Sequence, residues 1–285
     1  MFRRKPSHSQ ETQFAEFQVE SLEDRQMLAG DVDVFVRGNN LVISGDGADN
    51  NIEVISSEGL VQVVGNGETT VNGGDTALNV DDVRNLTIRM NGGDDNVIVS
   101  IRPNGNLNFR GGAGNDHIDV NGAGNNLTMR GGTGDDALHS YGDVGGNLNL
   151  FDVAGGNDNL GHYSGTVDGQ TRIVTGAGDD QVDFGASVFG SSIFSGRVTV
   201  RTAAGQDSFN SGSSVQFESG AQIALGSGDD TSNLTLFNLP TVGSGQIVSM
   251  NGGTGMDTMH DWASIDATDE YRITGFETEE ILSIR

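Results

Sequence analysis

Apolar and polar residues alternate along most of the chain, on either side of a short glycine-rich turn that recurs eight times between residues 86 and 260. Counted from one aspartate in each turn, the residue seven positions earlier is apolar in all eight copies, and the residue two positions later is apolar in seven. A period of two predicts a strand before and after each turn, with one face of each strand directed inwards. The eight reference aspartates are Asp95, Asp116, Asp136, Asp158, Asp180, Asp207, Asp230 and Asp257.

The spacing of these aspartates is regular, at 21, 20, 22, 22, 27, 23 and 27 residues. A repeat of this length is typical of stacked units rather than of a closed globule. We therefore predict an all-β fold, a right-handed parallel β-helix or solenoid with rungs of about 20–27 residues, and favour a three-sided rung. The two long intervals contain extra loops at 185–196 and 237–245, whose phenylalanines we expect to pack on the rod.

The pattern changes at both ends of the repeat. We predict four segments: a sorting or disordered segment 1–30, an N-terminal β cap with degenerate rungs 31–85, the repeat solenoid 86–265 and a terminal partial rung 266–285. Two valine- and leucine-containing runs between residues 32 and 43 flank a polar turn and predict an antiparallel hairpin. Asn50 precedes Asp95 by 45 residues, which predicts two rungs between them, and Glu280 is expected in the aspartate position of the last rung.

Composition narrows the classes of partner. The chain carries 40 acidic and 15 basic residues, a net charge of −25, so nucleic acid is a poor electrostatic match. It has no cysteine, which excludes disulfides and thiolate metal sites, and it has no apolar run long enough for membrane insertion. The 44 glycines fall mainly in the turns, in register with the repeat, which favours an ordered solenoid over disorder.

The turns also resemble a known calcium-binding repeat. The nonapeptide Gly-Gly-x-Gly-x-Asp-x-apolar-x is complete at 111–119, 131–139 and 252–260, and it is similar to the repeat of RTX proteins, the secreted haemolysin-type family. The resemblance implies Ca²⁺ held by aspartate carboxylates and turn carbonyls of successive rungs, an all-oxygen environment that suits this ion. RTX repeats follow one another every nine residues, whereas this chain has one copy per rung, so only one edge of the rod is expected to carry ions.

On this basis we expect Ca²⁺ as the cofactor and all eight reference aspartates as its ligands. A second interpretation stays open at this point. Aspartate and glycine are favoured in turns for conformational reasons alone, and each aspartate could accept backbone N–H groups of its own turn while only diffuse cations balance the charge.

The N-terminal segment carries a second resemblance. Leu22-Glu23-Asp24-Arg25 followed by Met27-Leu28-Ala29 is similar to the LEPR-XLL motif of large exported proteins of planctomycete-type bacteria, with Asp24 in the usual place of proline. The resemblance implies an extracellular or cell-surface location on a bacterium. It also implies that residues 1–30 are an address rather than part of the fold.

Together these features predict a non-catalytic, exported, acidic solenoid with a structural or adhesive role. Calcium is the expected partner, and surface polysaccharide or other envelope proteins are further candidates. The alternative is a β-helical polysaccharide lyase or glycosidase, but no basic residue is placed beside the acids as lyase chemistry needs, and we expect no enzymatic activity. His117, His139, His162 and His260 are interpreted as surface residues that flank the turns.

Overall fold

The structure of the chain is a computed structural model, which describes residues 30–74, 78–80, 83–185, 191–212, 214–234, 245–261 and 271–281. Within these ranges every regular element is a β-strand, and the strands stack into a solenoid of about seven turns, so the predicted fold class is confirmed. The LEPR-XLL-like residues 22–29 and most of the loop 237–245 lie outside the described residues.

Two large sheets form the walls. The first has 12 strands: β1 (Asp31–Arg37), β2 (Asn40–Ser44), β5 (Thr70–Val71), β7 (Asn85–Arg89), β9 (Leu107–Ala113), β11 (Leu127–Thr133), β13 (Leu148–Phe151), β15 (Thr171–Val174), β18 (Val198–Arg201), β21 (Ala221–Ala224), β23 (Val248–Asn251) and β25 (Tyr271–Thr274). The second has 14 strands: β3 (Asn51–Ser57), β4 (Leu60–Gly65), β6 (Leu78–Val80), β8 (Asn96–Val99), β10 (His117–Val120), β12 (Ala137–Tyr141), β14 (Asn159–Val167), β16 (Gln181–Phe184), β17 (Ser192–Phe194), β19 (Ser208–Ser211), β20 (Val215–Phe217), β22 (Thr231–Leu234), β24 (Thr258–Asp261) and β26 (Thr278–Ile281). From β7 and β8 onwards the stacked strands pair in parallel, and β17 and β20 extend the second sheet as a short third side.

Apolar residues of equivalent strands form continuous columns in the interior. Ile88, Phe109 and Met129 pair in sequence across the first sheet, and all three are fully buried. Each rung therefore completes the burial of its neighbours, as in other solenoids. One position departs from the predicted column: Leu150, not Phe151, pairs with Met129, because the turn before Asp158 contains one extra residue.

The N-terminal cap occupies one rung where the spacing predicted two. The hairpin of β1 and β2 is confirmed, but β3 pairs directly with β8, and the Asn50 N–H donates to Asp95 Oδ1 at 2.8 Å. The intervening residues fold back as β4 and β6, which pair in antiparallel fashion outside the parallel stack. A count of residues cannot separate a folded-back hairpin from an additional rung.

At the C-terminal end the predicted last rung is present, as β25 and β26, but the assignment of Glu280 is wrong. Thr258 pairs with Thr278, so Glu277 takes the aspartate position, and its Oε2 accepts the Asp257 N–H at 2.8 Å. In the first long loop, Phe194 is fully buried and stacks on Phe217, with ring centroids 5.6 Å apart, which agrees with a loop that packs on the rod.

Candidate functional site

The structure brings the eight reference aspartates into one column along the corner where the two sheets meet. Each directly precedes a strand of the second sheet, and the pairing of those strands places successive aspartates one rung apart. Their side chains face inwards, and all eight are at most 2% exposed to solvent. The column is therefore part of the interior and does not line an exposed edge.

One oxygen of each carboxylate has a fixed structural role. The Oδ1 atom of Asp116 accepts the backbone N–H of Asp95 at 3.0 Å, and the Oδ1 atom of Asp136 accepts that of Asp116 at 2.7 Å. The same bond recurs at every following rung up to Asp257. Each aspartate thus accepts the N–H of the preceding rung, not a donor of its own turn, and the column is a continuous hydrogen-bond ladder.

A second ladder runs beside the first on the solvent side, in the opposite direction. At seven of the eight reference aspartates, the residue before the aspartate donates its N–H to the side chain of the preceding rung. Asn115 donates to Asp94 at 2.7 Å, Asp135 to Asn115 at 2.8 Å and Asn157 to Asp135 at 2.8 Å. Both asparagine and aspartate occur at this position because each supplies the side-chain oxygen that accepts the backbone N–H.

The glycine two residues before each aspartate has a steric explanation. All eight of these glycines have a positive φ, for example +123° at Gly134 and +141° at Gly178. A Cβ on Gly134 would collide with the carbonyl oxygen of Gly114 in the rung below, and the same collision recurs along the stack. Backbone conformation and close stacking therefore both require glycine, with no need for a bound ion.

The second carboxylate oxygen of each reference aspartate, Oδ2, makes no hydrogen bond comparable to that of Oδ1. In all eight aspartates Oδ2 is buried and has no hydrogen-bond partner. Burial raises the pKa of Asp95 and Asp158 to about 7 and that of Asp116, Asp180 and Asp230 to about 6, while the backbone N–H bond to Oδ1 lowers these values. The neighbouring carboxylates of the column add to the increase. At neutral pH the interior therefore holds negative charge that requires a proton or a cation.

The extra residue before Asp158 adds a ninth buried carboxylate. Asp152 takes the place that Gly131 and Thr175 occupy in the adjacent rungs, and it is 1% exposed. Its Oδ2 accepts the Gly132 N–H at 3.2 Å, and its Oδ1 has no partner. Because Gly131 lacks a side chain, the carboxylates of Asp152 and Asp136 both reach the space in front of it.

Asp136, Asp152 and Asp158 consequently form a cluster in which one oxygen from each lies within 4.8 Å of the others. Burial, followed by the contact with Asp136, raises the pKa of Asp152. As carboxylates, neither partner of this contact can donate to the other, so a proton or a cation must lie between them. Sequence spacing gave no sign of this cluster, since Asp152 stands outside the nonapeptide pattern.

The residues present fit Ca²⁺ at this cluster better than elsewhere in the column. Ca²⁺ takes six to eight oxygen ligands. Three carboxylates converge at Asp136, Asp152 and Asp158, whereas the other rungs each offer one free carboxylate oxygen. Within the described ranges, the one other group of three potential ligands contains two histidines and a single aspartate.

Two of the histidines, His162 and His139, differ from the surface interpretation. His162 is fully buried, its Nδ1 lies 3.2 Å from Ser140 Oγ, and burial lowers its pKa to about 4. His139 is also buried, and the pairing of β10 with β12 places it opposite Asp119. His117 is exposed, as predicted.

The chain matches no protein-family model, no curated protein and no solved structure. None of the described segments forms an apolar helix of membrane-spanning length. The geometry of the solenoid itself therefore carries the functional argument.

Proposed function

We propose that this protein is a non-catalytic structural solenoid, displayed outside a bacterial cell, whose wall is stabilised by Ca²⁺ bound at Asp136, Asp152 and Asp158. One observation supports the proposal above all others: three buried carboxylates converge, each with an oxygen that has no hydrogen-bond partner. Like charges at such separations repel by about 1 kcal/mol even in water and by several-fold more inside a protein. A divalent cation removes this repulsion and supplies the missing partners.

The remaining aspartates of the column support the rod in another way. Each uses Oδ1 in the ladder and has one free oxygen, and burial raises the pKa of five of them, so partial protonation reduces their charge; these five are Asp95, Asp116, Asp180, Asp207 and Asp230. The column of calcium sites with eight aspartate ligands suggested by the RTX resemblance thus contracts, in our proposal, to one strong site at the rung with the additional carboxylate.

A stability measurement with a matched variant tests the calcium proposal. Ca²⁺ at a hundredfold excess over its Kd should stabilise the native protein by about 2.7 kcal/mol. For a chain of this size that corresponds to a rise in Tm of about 5–10 °C over the chelator-treated protein. Asp152→Asn removes the third carboxylate with little change in shape, and the variant should lose this rise while keeping its fold without calcium.

Asp94→Asn is the matched control, because it removes the same charge from the solvent-side ladder, where asparagine already occurs at position 115. This variant should retain the full effect of calcium, and metal analysis should find one ion per chain in it and in the native protein. Equal Tm values with calcium and with chelator, or an undiminished calcium effect in Asp152→Asn, would refute the site.

The buried column also bears on the enzymatic alternative. A glycosidase or lyase must bring its carboxylates into contact with a polysaccharide. The eight reference aspartates lie inside the wall, where a polymer cannot reach them. We therefore favour a structural or adhesive role, with surface polysaccharide or envelope proteins as candidate partners. Protease treatment of intact cells would test the location, since an exposed protein should be degraded while cytoplasmic markers persist.

A further inference from the structure

A second cluster of potential metal ligands lies on the outer face of the second sheet and is separate from the buried aspartate column. His117 and Asp119 are two residues apart on β10 and therefore project from the same face. His139 on β12 pairs directly with Asp119. Two positions on one strand and one on its neighbour converge, and the parallel sheet holds all three backbones in place.

The distances in this cluster match those of a metal site. His117 Nε2 lies 3.4 Å from Asp119 Oδ1, and His139 Nδ1 lies 3.1 Å from the same oxygen. A tetrahedral zinc ion with bonds of about 2.0–2.1 Å separates its ligand atoms by about 3.3 Å. The two imidazole nitrogens also lie within 4.8 Å of each other, so a modest rotation of the exposed His117 ring completes the third edge.

The surroundings of His139 supply a rigid wall on one side. The rings of Tyr141 and Tyr163 stack with centroids 5.2 Å apart, and Tyr163 stands edge-on to His139 at 5.1 Å. Tyr163 fits there because Gly161 has no side chain: a Cβ on Gly161 would lie 2.9 Å from the Tyr163 ring. The opposite side is open, since the His117 and Asp119 side chains are 49% and 30% exposed.

We infer that His117, Asp119 and His139 form a binding site for a transition-metal dication of the zinc class, with the fourth position open to water. Imidazole nitrogen with one carboxylate suits zinc, copper, iron and nickel, whereas Ca²⁺ requires oxygen ligands. The net charge of −25 favours the approach of any cation. His139 Nε2 is buried without a hydrogen-bond partner. A metal at Nδ1 fixes the ring as the Nε2–H tautomer.

Cobalt substitution and zinc competition test the inference on the full chain without an affinity tag. Co²⁺ should give the intense visible bands of a tetrahedral site at one equivalent. Zn²⁺ should displace it, and millimolar Ca²⁺ should not, so the outcome is independent of the calcium proposal. Asp119→Asn and His117→Gln should each weaken binding by at least about tenfold, the loss that even an outer-shell change causes.

His260→Gln is the matched control, because His260 follows in the same outward register on β24 but belongs to no such group among the described residues. It should bind like the native protein. The His117→Gln variant alters an exposed side chain, so its fold, checked by circular dichroism, should be intact. Absence of the cobalt bands, or equal affinity in Asp119→Asn and His260→Gln, would overturn the inference.

Discussion

At the scale of the residue, the repeated turn separates into positions with different physical roles. The glycine two before the aspartate is fixed by positive φ and by the carbonyl oxygen of the rung below. The aspartate is fixed by the backbone N–H that its Oδ1 must accept in the buried corner. In this motif, which resembles a metal-binding signature, the glycine and the aspartate Oδ1 therefore have a structural explanation at every rung, whereas only the rung with Asp152 brings three carboxylates together.

The glycine stack gives the first prediction. Gly134→Ala should destabilise the protein by more than about 2 kcal/mol, because alanine disfavours this φ and its Cβ overlaps the Gly114 carbonyl oxygen. Gly47→Ala is the control, since its φ is not positive and nothing lies within 4 Å of its Cβ. Chemical denaturation measures both, and a similar effect of the two substitutions would contradict the stacking explanation.

At the scale of the element, each strand contributes one residue to a buried column, and the packing of the column depends on every side chain in it. The column two positions after the aspartates contains Val182, Phe209, Ser232 and Met259 in adjacent rungs, all of them buried. Ser232 is the one polar member of the eight predicted positions. It is fully buried, and its hydroxyl has no hydrogen-bond partner.

This defect gives the second prediction. Ser232→Val should stabilise the protein by about 1–2 kcal/mol, because it replaces an unsatisfied buried hydroxyl with apolar surface. Thr231→Val, one residue earlier on the opposite face of β22, should change stability by less than about 0.5 kcal/mol. Thermal unfolding distinguishes the two, and a lower Tm for Ser232→Val would show that the column has no room for the larger side chain.

One additional residue in a turn also changes which side chains of the adjoining strand face the interior. The additional residue before Asp158 moves Phe151 to the outer face, between Arg130 and Arg172, whose guanidinium carbons lie 5.3 Å from its ring centroid. The same shift turns Asp152 inwards. The period-two rule assigned Phe151 to the core because the rule was counted from the aspartate and not from the strand pairing.

At the scale of the whole molecule, the solenoid concentrates carboxylates that prefer the protonated state. The pKa values of five of them are raised to about 6 or 7, chiefly by burial. In the unfolded chain the same groups titrate near 4. Between these values the folded protein binds more protons than the unfolded chain, so the free energy of unfolding decreases as pH rises.

The third prediction follows from this sign. Without calcium, the Tm should be higher at pH 5 than at pH 8, and the loss should be nearly complete once the pH has passed the folded-state pKa values of about 6 and 7. Saturating Ca²⁺ should reduce this loss by stabilising the ionised cluster at Asp152. Thermal scans over this pH range, with chelator and with calcium, measure both effects. A chelator-treated protein that is more stable at pH 8 than at pH 5 would contradict the assigned pKa directions.

The sequence by itself determined the strands, their stacking and the alignment of eight aspartates. In a repeat, residues that are equivalent in sequence become neighbours in space, so a local period fixes both the element and its partner. Tertiary structure alone decided that the carboxylates face inwards, that Asn50 lies directly below Asp95, and that Asp152 and Asp119 meet their partners. These contacts depend on the direction in which each turn closes and on the pairing register between rungs. A folded-back hairpin or one additional turn residue changes that register without disturbing the repeat.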